Sequence, residues 1–295
     1  MEIDNNSKIS MVLPVYNGER FLGQAIESIL AQVYTNWELI IVNDCSTDSS
    51  ESIMIHYAQM DDRIKIINNP DNLKLPRSLN VGFKIATGDY FTWTSDDNLL
   101  KPNMLKRLCE ELDASQEYGL VYSNHDEIDE EGVHIRDNIL GEPDDMGKTG
   151  NVCGASFLYR RSVAELVGEY DPDLFLAEDY DYWMRLYGKT KILHIPDILY
   201  SCRRHKASLT STRQKEIAYQ TLRAIHKNYW TLLEKCETRN DRELLYRMVI
   251  NYSSEDDQRL FLSMIDEMKS WKKSYLFKSA ILSSKHFIGK FLRIC

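Results

Sequence analysis

The stretch that decides the fold class is Tyr90–Pro102, which reads Y-F-T-W-T-S-D-D-N-L-L-K-P. Its aromatic and β-branched start predicts a strand, and two adjacent carboxylates, Asp96 and Asp97, end that strand. The residues that follow, with Pro102 near the first turn, predict a helix. Carboxylates at the carboxyl end of a strand in an α/β sheet lie where ligands bind, and a divalent cation offsets their mutual repulsion. Turn formation with capping of the next helix is the alternative for the same residues.

The chain up to about residue 130 repeats this alternation of strand and helix patterns. Apolar strand patterns occur at Ile9–Val15, Glu38–Asn43 and Arg63–Asn68, and the helical patterns between them end near Leu30, Met60 and Ala86. This order predicts a mainly parallel α/β sheet with right-handed crossovers. Each strand ends in Tyr, Asn or Asp residues, so the sheet presents one polar edge, where a nucleotide would lie.

The second half of the chain continues with weaker patterns. Strands are predicted at Leu120–Asn124, Asn151–Tyr159 and Ile192–Ile195, and a helix at Arg161–Val167. Glycines between residues 132 and 150 indicate a hairpin and a mobile loop. Beyond Ser211 the pattern is helical, which predicts an α/β domain over residues 1–210 and a helical C-terminal region over 211–295.

Composition excludes several classes of protein. With 295 residues and 43% hydrophobic residues, the chain can bury a substantial core, and a net charge of −9 argues against general nucleic-acid binding. The six cysteines contain no C-x-x-C pair, which indicates neither zinc nor a disulfide framework. The start of the sequence lacks the pattern of a signal peptide, and no run of about 18 apolar residues occurs, so we expect a cytoplasmic protein.

Four segments together carry a resemblance to a known family. They are M-V-L-P-V-Y-N-G-E-R-F-L-G-Q-A-I-E-S-I-L-A-Q (11–32), L-I-I-V-N-D-C-S-T-D-S-S (39–50), T-W-T-S-D-D-N-L-L-K-P (92–102), and G-A-S-F-L-Y-R-R (154–161) with A-E-D-Y-D-Y-W-M-R-L (177–186). In this order they resemble the family 2 inverting glycosyltransferases of the GT-A fold, over roughly residues 8 to 210. The resemblance implies transfer of a sugar from a nucleotide-diphosphate donor, expected to be a UDP-sugar, to an acceptor hydroxyl.

The resemblance also implies which residues bind the donor. They are Pro14, Tyr16, Glu19, Asp44, Arg77, Asn80, Asp96 and Gly154. Tyr16 and Glu19 would frame the nucleobase, and Asp44 would accept from the base or the ribose. Arg77 suits the pyrophosphate because its planar fork is always charged. For each of these residues an ordinary structural role is the alternative, such as a turn at Asp44 or favourable first-turn charge at Glu19.

A Mg²⁺ or Mn²⁺ ion is the cofactor that the resemblance implies. Asp97 falls at the last Asp of the family's D-x-D motif and is the expected ligand, with Asp96 in support, while Ser95 replaces the first Asp. His205 is expected to complete the metal shell. The neighbouring pair Arg203–Arg204 is the alternative group for neutralising the diphosphate.

The E-D motif supplies the expected catalytic groups. Inversion requires one base that deprotonates the acceptor hydroxyl as it attacks the anomeric carbon, and the motif assigns this role to Asp179. Glu178 would hold acceptor hydroxyls. Capping of the following helix is the alternative role for these acids. The expected acceptor is a growing polysaccharide or a lipid-linked glycan.

The end of the chain, Trp271–Cys295, combines an apolar stripe with basic residues and lacks acidic ones. This pattern predicts a basic amphipathic helix, either on an anionic membrane surface or packed on the catalytic domain. Two rival functions stay open. One is a non-catalytic nucleotide-sugar-binding protein, because Ser95 departs from D-x-D. The other is a sugar-1-phosphate nucleotidyltransferase, which is disfavoured because no glycine-rich loop follows the first strand.

Overall fold

A computed structural model of the chain describes residues 7–238 and 240–245. The strands in this part are β1 (Ile9–Val15), β2 (Trp37–Asn43), β3 (Ile64–Asn68), β4 (Tyr90–Trp93), β5 (Leu99–Leu100), β6 (Tyr118–Ile128), β7 (His134–Asn138), β8 (Phe157–Arg160) and β9 (Lys191–Arg203). The helices are α1 (Leu22–Leu30), α2 (Ser50–Met60), α3 (Leu75–Ile85), α4 (Met104–Ala114), α5 (Arg161–Val167), α6 (Glu178–Tyr187), α7 (Leu209–Thr212) and α8 (Gln214–Glu234).

The strands form one sheet in the order β3-β2-β1-β4-β8-β6-β9-β5, with β7 paired to β6. The strands β3, β2, β1 and β4 are parallel, as predicted, and antiparallel pairs begin at β8. The chain runs outward from β1 through β2 to β3 and then returns to place β4 on the other side of β1. Such a reversal is the topological switch point, where open α/β sheets bind ligands. We therefore expect a ligand site at the carboxyl ends of β1 and β4.

Two hydrophobic layers cover the parallel half of the sheet. Because side chains alternate along a strand, Ile9, Met11 and Leu13 of β1 face α1 and α4, while Val12 faces α3. The close approach of α3 depends on Gly82, since a Cβ atom there would lie 2.5 Å from Cγ1 of Val12. Burial on both faces explains why these strands appear in the sequence as continuous apolar runs.

The helix α8 packs on the same core. Leu222, Ile225 and Leu232 are buried in the cluster that contains Trp183 of α6. Each such side chain stabilises the docking by roughly 1.5–3 kcal/mol before entropic costs. The division into residues 1–210 and 211–295 stays a prediction, and the predicted amphipathic helix at 271–295 lies outside the described residues. In the described part of the chain, no helix has both the length and the apolar character to cross a membrane.

The other half of the sheet is mixed, with β6 and β9 parallel and β8 antiparallel to its neighbours, and it differs from the sequence prediction in its strand bounds. The strand predicted at Leu120–Asn124 extends to Ile128, because its polar end is buried with partners: Lys101 pairs with Asp126, and Arg136 pairs with Glu127. The strand predicted at Ile192–Ile195 continues to Arg203 and absorbs Pro196 at an irregularity in its register with β6. The strand predicted over 151–159 begins only at residue 157, since residues 151–156 form a loop.

The helix predicted directly after Asp97 was placed too early. The two-residue strand β5 intervenes, and α4 begins at Met104 without a side-chain cap. The capping alternative for Asp96 and Asp97 is therefore wrong. Both carboxylates are left in a loop at the switch point.

Candidate active site

The crevice at the switch point opens between β1 and β4. The pairing between β1 and β4 stops at Val12 and Trp93, so the two strands diverge beyond this point. Pro14 follows the divergence, which explains how a residue without an N–H group is tolerated in a central strand. The loops that continue β1 and β4 carry Tyr16 and Asp96 and form the walls of the crevice.

Asp96 lies in the loop after β4 and packs against the loop after β1. The backbone N–H group of Tyr16 donates to it, and a Cβ atom on Gly18 would lie 2.1 Å from its Oδ2 atom. Burial and the neighbouring charge of Asp97 raise the pKa of Asp96 to about 7. A carboxylate in this position gains from a nearby cation.

Asp97 and His205 meet across 108 positions of sequence. Nε2 of His205 lies 2.9 Å from Oδ2 of Asp97, and Ser95 donates to Oδ1 at 2.7 Å. Arg203 holds the loop itself, because its Nε donates to the carbonyl oxygen of Asp97 at 2.9 Å. Arg203 also donates to two further carbonyl oxygens, so it serves the fold rather than an incoming diphosphate. Arg204 pairs with the buried Glu127.

The Asp97–His205 pair fits a divalent cation. Two ligands at right angles with bonds of about 2.1 Å are about 3 Å apart, which is close to the 2.9 Å observed. Among the described residues, no group of three His, Cys, Asp or Glu side chains converges on one point. The protein would therefore supply a minority of the ligands, and a bound diphosphate would supply others.

Two of the expected donor-binding residues are free to meet a nucleotide. Tyr16 is 51% exposed at the mouth of the crevice. Arg77 is exposed in the first turn of α3. An aromatic face and a guanidinium group in these positions suit a nucleobase and a diphosphate respectively.

Other expected residues already have structural partners. Asp44 is 4% exposed, and its oxygens accept from Asn69 at 2.8 Å and from the backbone N–H groups of Leu73 at 2.8 Å and Lys74 at 2.9 Å. The Asp44 carboxylate thus fixes the loop that begins α3. A nucleotide could reach it only through an unused lone pair.

Asn80 and Glu19 join segments of the fold. The amide of Asn80 exchanges two hydrogen bonds with the backbone of Tyr170, at 2.8 and 2.9 Å. Glu19 accepts from the N–H group of Ser49 at 2.9 Å, while its own N–H group donates to Asp48 at 3.0 Å. These contacts position the walls of the crevice and leave direct binding as a prediction.

Gly154 stands where a side chain does not fit. Its φ is +58°, and a Cβ atom would lie 2.8 Å from Leu140 and 3.4 Å from Nδ1 of His125. Backbone strain of this kind recurs around the site, since non-glycine residues with positive φ follow β1, follow β2, and precede α3 and α6. They are Asn17, Cys45, Lys74 and Leu176. Such strain is typical of binding and catalytic loops.

Glu178 and Asp179 open α6. Glu178 is buried and accepts from the N–H group of Leu176 at 2.6 Å, while Asp179 is partly exposed and accepts from Tyr180 at 2.7 Å. The N-cap residue of α6 is Ala177 and makes no side-chain cap, so the capping alternative for these acids is wrong. Burial and the neighbouring Asp179 raise the pKa of Glu178 to about 8, and burial raises the pKa of Asp179.

The E-D motif and the crevice are connected through buried phenols. Nε1 of Trp93, in β4, donates to the hydroxyl group of Tyr170 at 3.0 Å, and the ring of Tyr170 stacks on Tyr182 of α6 at 4.0 Å. The charge of Asp179 acts on the phenol of Tyr170. The base candidate and the strand that leads to Asp97 therefore share one rigid layer.

Two polar residues of the site escaped the sequence analysis. Asn151 donates from Nδ2 to Oδ2 of Asp179 at 3.0 Å. The charge of Asp48 acts on Asp96. Both residues lie in segments that resemble turns. The sequence signal for Asn151 is its position three residues before Gly154, which the resemblance already assigned to the donor site.

Comparison with known proteins establishes the family. The family model described as "Glycosyl transferase family 2" matches residues 10–168, which is more than half of the chain. The chain therefore belongs to glycosyltransferase family 2. The putative glycosyltransferase EpsE of Bacillus subtilis (strain 168) is 35% identical over 191 residues, which cover 63% of this chain and 68% of EpsE.

Solved structures show the same fold. TarS of S. aureus (residues 1–349) in complex with UDP-GlcNAc has a TM-score of 0.65 at 18% identity and covers 83% of this chain and 72% of that one. The mannosyltransferase PcManGT from Pyrobaculum calidifontis, in complex with GDP-Man and Mn²⁺, has a TM-score of 0.59 at 12% identity and covers 95% and 88%. The predicted α/β GT-A fold is confirmed, and the protein is a glycosyltransferase.

Proposed function

We propose that the protein is a metal-dependent, inverting glycosyltransferase that moves a sugar from a nucleotide-diphosphate donor to a hydroxyl group of a polysaccharide or lipid-linked glycan. The proposal rests on one observation, which is that different elements of the fold position two separate acidic centres. One is the Asp97–His205 pair beside the switch point, and the other is Asp179 at the start of α6. A separate cation centre and a separate base are the two parts that metal-dependent inverting transfer needs.

Asp179 would act as the base. Its carboxylate accepts the proton of the acceptor hydroxyl while that oxygen bonds to the anomeric carbon and the bond to the diphosphate breaks. One carboxylate suffices because no covalent sugar–enzyme intermediate forms. Its partial exposure allows an acceptor to reach it, and its raised pKa makes it a stronger proton acceptor than an ordinary aspartate.

Asp97 and His205 would hold a Mg²⁺ or Mn²⁺ ion, which stabilises the negative charge of the leaving diphosphate. Tyr16 and Arg77 would contact the nucleotide. The complexes of TarS with UDP-GlcNAc and of PcManGT with GDP-Man and Mn²⁺ support a nucleotide-sugar donor, with a UDP-sugar as our choice. The acceptor class, a cytoplasmic location and attachment to a membrane through residues 271–295 remain predictions.

Nucleotide release tests this proposal. UDP-GlcNAc, UDP-glucose and GDP-mannose would be incubated with the parent protein, with Asp97→Ala and with Asp62→Ala, in Mn²⁺ or in EDTA. Asp62 is an exposed aspartate away from the site and serves as the matched control. We expect slow, Mn²⁺-dependent hydrolysis of one donor that falls at least about 100-fold in Asp97→Ala and is kept in Asp62→Ala. Metal-dependent binding without release would favour the non-catalytic nucleotide-sugar-binding protein, and equal release in EDTA would refute the metal role.

A further inference from the structure

Asn151 makes a direct contact with the proposed base. Its side chain is exposed in the loop before β8, and Nδ2 donates to Oδ2 of Asp179 at 3.0 Å. The orientation of the amide is fixed, because its Oδ1 accepts from the N–H group of Cys153 at 3.2 Å. The amide therefore presents its N–H group, and not its oxygen, to the carboxylate.

The contacts of Asp179 leave one orientation for its carboxylate. The N–H group of Tyr180 donates to Oδ1 at 2.7 Å and Asn151 donates to Oδ2. One donor on each oxygen fixes the rotation of the group about its last bond. Each oxygen keeps a lone pair that could accept a proton.

The loop that carries Asn151 is held firmly by its neighbours. Tyr122 donates to the carbonyl oxygen of Gly141, and Lys148 forms an ion pair with Asp241 at 2.8 Å. Leu232 of α8 packs under Gly147, where a Cβ atom would lie 2.9 Å from its methyl groups. The amide therefore has a fixed position relative to the core.

The helix α8 also contacts α6, the helix that carries Asp179. Asn228 donates to the buried Asp181 of α6 at 2.8 Å, and Lys227 lies 3.0 Å from the same carboxylate. Because α8 contacts both the loop of Asn151 and the helix of Asp179, it sets the distance between them. The contact therefore joins two segments that both pack on α8.

We infer that Asn151 is a positioning residue of the transfer reaction, whose amide orients the Asp179 carboxylate and keeps it ionised to accept the proton of the incoming hydroxyl group. The inference rests on the proposed role of Asp179 as the base. A neutral donor suits this task, because it steadies the carboxylate without the strong electrostatic attraction of an arginine or lysine, which would make the base too weak.

The direction of the effect on the pKa follows from the contacts. Burial raises the pKa of Asp179, and the hydrogen bonds from Tyr180 and Asn151 lower it. The charge of Asp179 acts on three titratable groups, which are Glu178 on its own helix, Cys153 on the loop and Tyr170 before the helix. All three groups are neutral or negative, so none of them can replace Asn151 in stabilising the charge of Asp179. Loss of the Asn151 donor therefore raises the pKa of Asp179 further.

The test measures the titration of Asp179 directly. Protein labelled with ¹³C at the Asp carboxyl carbons would be titrated by NMR, with the Asp179 signal identified by its absence in Asp179→Asn. The variants are Asn151→Ala, which removes the donor, and Asn151→Asp, which replaces it with a charge. Thr149→Ala, at an exposed position of the same loop, is the matched control.

We expect the midpoint of Asp179 to rise by about half a unit to one unit in Asn151→Ala and by more in Asn151→Asp, with Thr149→Ala unchanged. With UDP-GlcNAc as the probe donor, or another donor that the protein hydrolyses, the acidic limb of kcat/KM should move to higher pH by the same amount, with the donor KM within about twofold of the parent. An unchanged midpoint in Asn151→Ala would overturn the inference. Parent-like turnover in Asp179→Asn would instead overturn the proposed base, which is a distinguishable outcome.

Discussion

Buried carboxyl groups have lowered pKa values at one end of the parallel sheet and raised pKa values near the other end. At the amino ends of the strands, buried Glu38 accepts from Lys65 at 2.8 Å, from Ser10 at 2.6 Å and from Thr87 at 2.8 Å. Burial alone would raise the pKa of Glu38, but these hydrogen bonds outweigh it and hold the pKa well below its ordinary value.

Near the carboxyl ends, three carboxyl groups have hydrogen bonds that do not outweigh their burial. The pKa values of Asp96, Glu178 and Asp179 are raised, by burial and, for Asp96 and Glu178, by a neighbouring aspartate. In the described part of the chain, Glu178 and Asp179 accept hydrogen bonds from neutral N–H groups. We propose that Glu38 stabilises the fold, whereas Asp96 and Asp179 keep their charges available for a cation and a proton. The predictions below test this difference.

The largest effect is expected at Asp179. Asp179→Asn removes the proposed base but keeps the size of the side chain, so kcat for nucleotide release should fall by about 10²–10⁴-fold. The melting temperature should stay the same or rise, since a partly buried charge is removed. Stopped-time assays and a thermal melt of the same preparation measure both. A large loss of stability would show that Asp179 belongs with Glu38 as a structural acid.

Glu38→Gln should have the opposite profile. The substitution leaves Lys65 and Lys8 without their carboxylate, and we expect a loss of about 2–3 kcal/mol in the free energy of unfolding, reduced from the fully buried case because both lysines reach solvent. Urea unfolding measures the loss, with the exposed Glu51→Gln as control. Turnover per folded molecule should be unchanged. A selective loss of turnover would break the division between the two ends.

The stabilising effect of Glu38 should depend on pH in a defined direction. Because its pKa is lower in the folded state than in the unfolded state, its contribution is fully present above the unfolded value of about 4.3 and is lost as the pH falls toward the folded value. The difference in stability between the parent and Glu38→Gln should therefore shrink below about pH 4. Unfolding curves at several pH values test this, and a difference that grows on acidification would contradict it.

At pH 5, the smallest effect is expected for Glu178→Gln. With a pKa of about 8, Glu178 is protonated in the folded protein at acidic pH, so glutamine replaces a neutral group and stability should change by less than about 1 kcal/mol at pH 5. The unfolded state releases this proton above about pH 4.3, so the parent loses stability between there and pH 8 while the variant does not. The variant should thus gain relative stability as the pH rises. A relative loss would indicate an unrecognised cation beside Glu178.

Sequence patterns predicted the parallel half of the sheet well, because strands buried on both faces leave continuous apolar runs. They failed where polar residues are buried with partners that lie far away in the sequence. Asp126 and Glu127 resemble turn residues until Lys101 and Arg136 are placed beside them. The two-residue strand β5 has too few residues to leave a periodic signal.

The residues of the site also fall into those that the sequence predicted and those that it could not predict. The motifs pointed to Asp97, His205 and Asp179 because their residue types limit the available chemistry. The structural partners of Asp44 and Asn80 could not be predicted, since hydrogen bonds to the backbone of Leu73 and Tyr170 depend on tertiary placement. Asn151 was missed for the same reason, because its importance lies in a contact made 28 residues away.

The most direct test of the division of tasks is a calorimetric titration of UDP, and of GDP in parallel, into the parent, Asp97→Ala and Asp179→Asn in the presence of Mn²⁺ or EDTA. We predict that the parent and Asp179→Asn bind one nucleotide with similar affinity in Mn²⁺, and that binding weakens at least about tenfold in EDTA and in Asp97→Ala. Equal binding by Asp97→Ala, or binding that does not respond to Mn²⁺, would contradict the assignment of the carboxyl end of the sheet as a cation-dependent donor site.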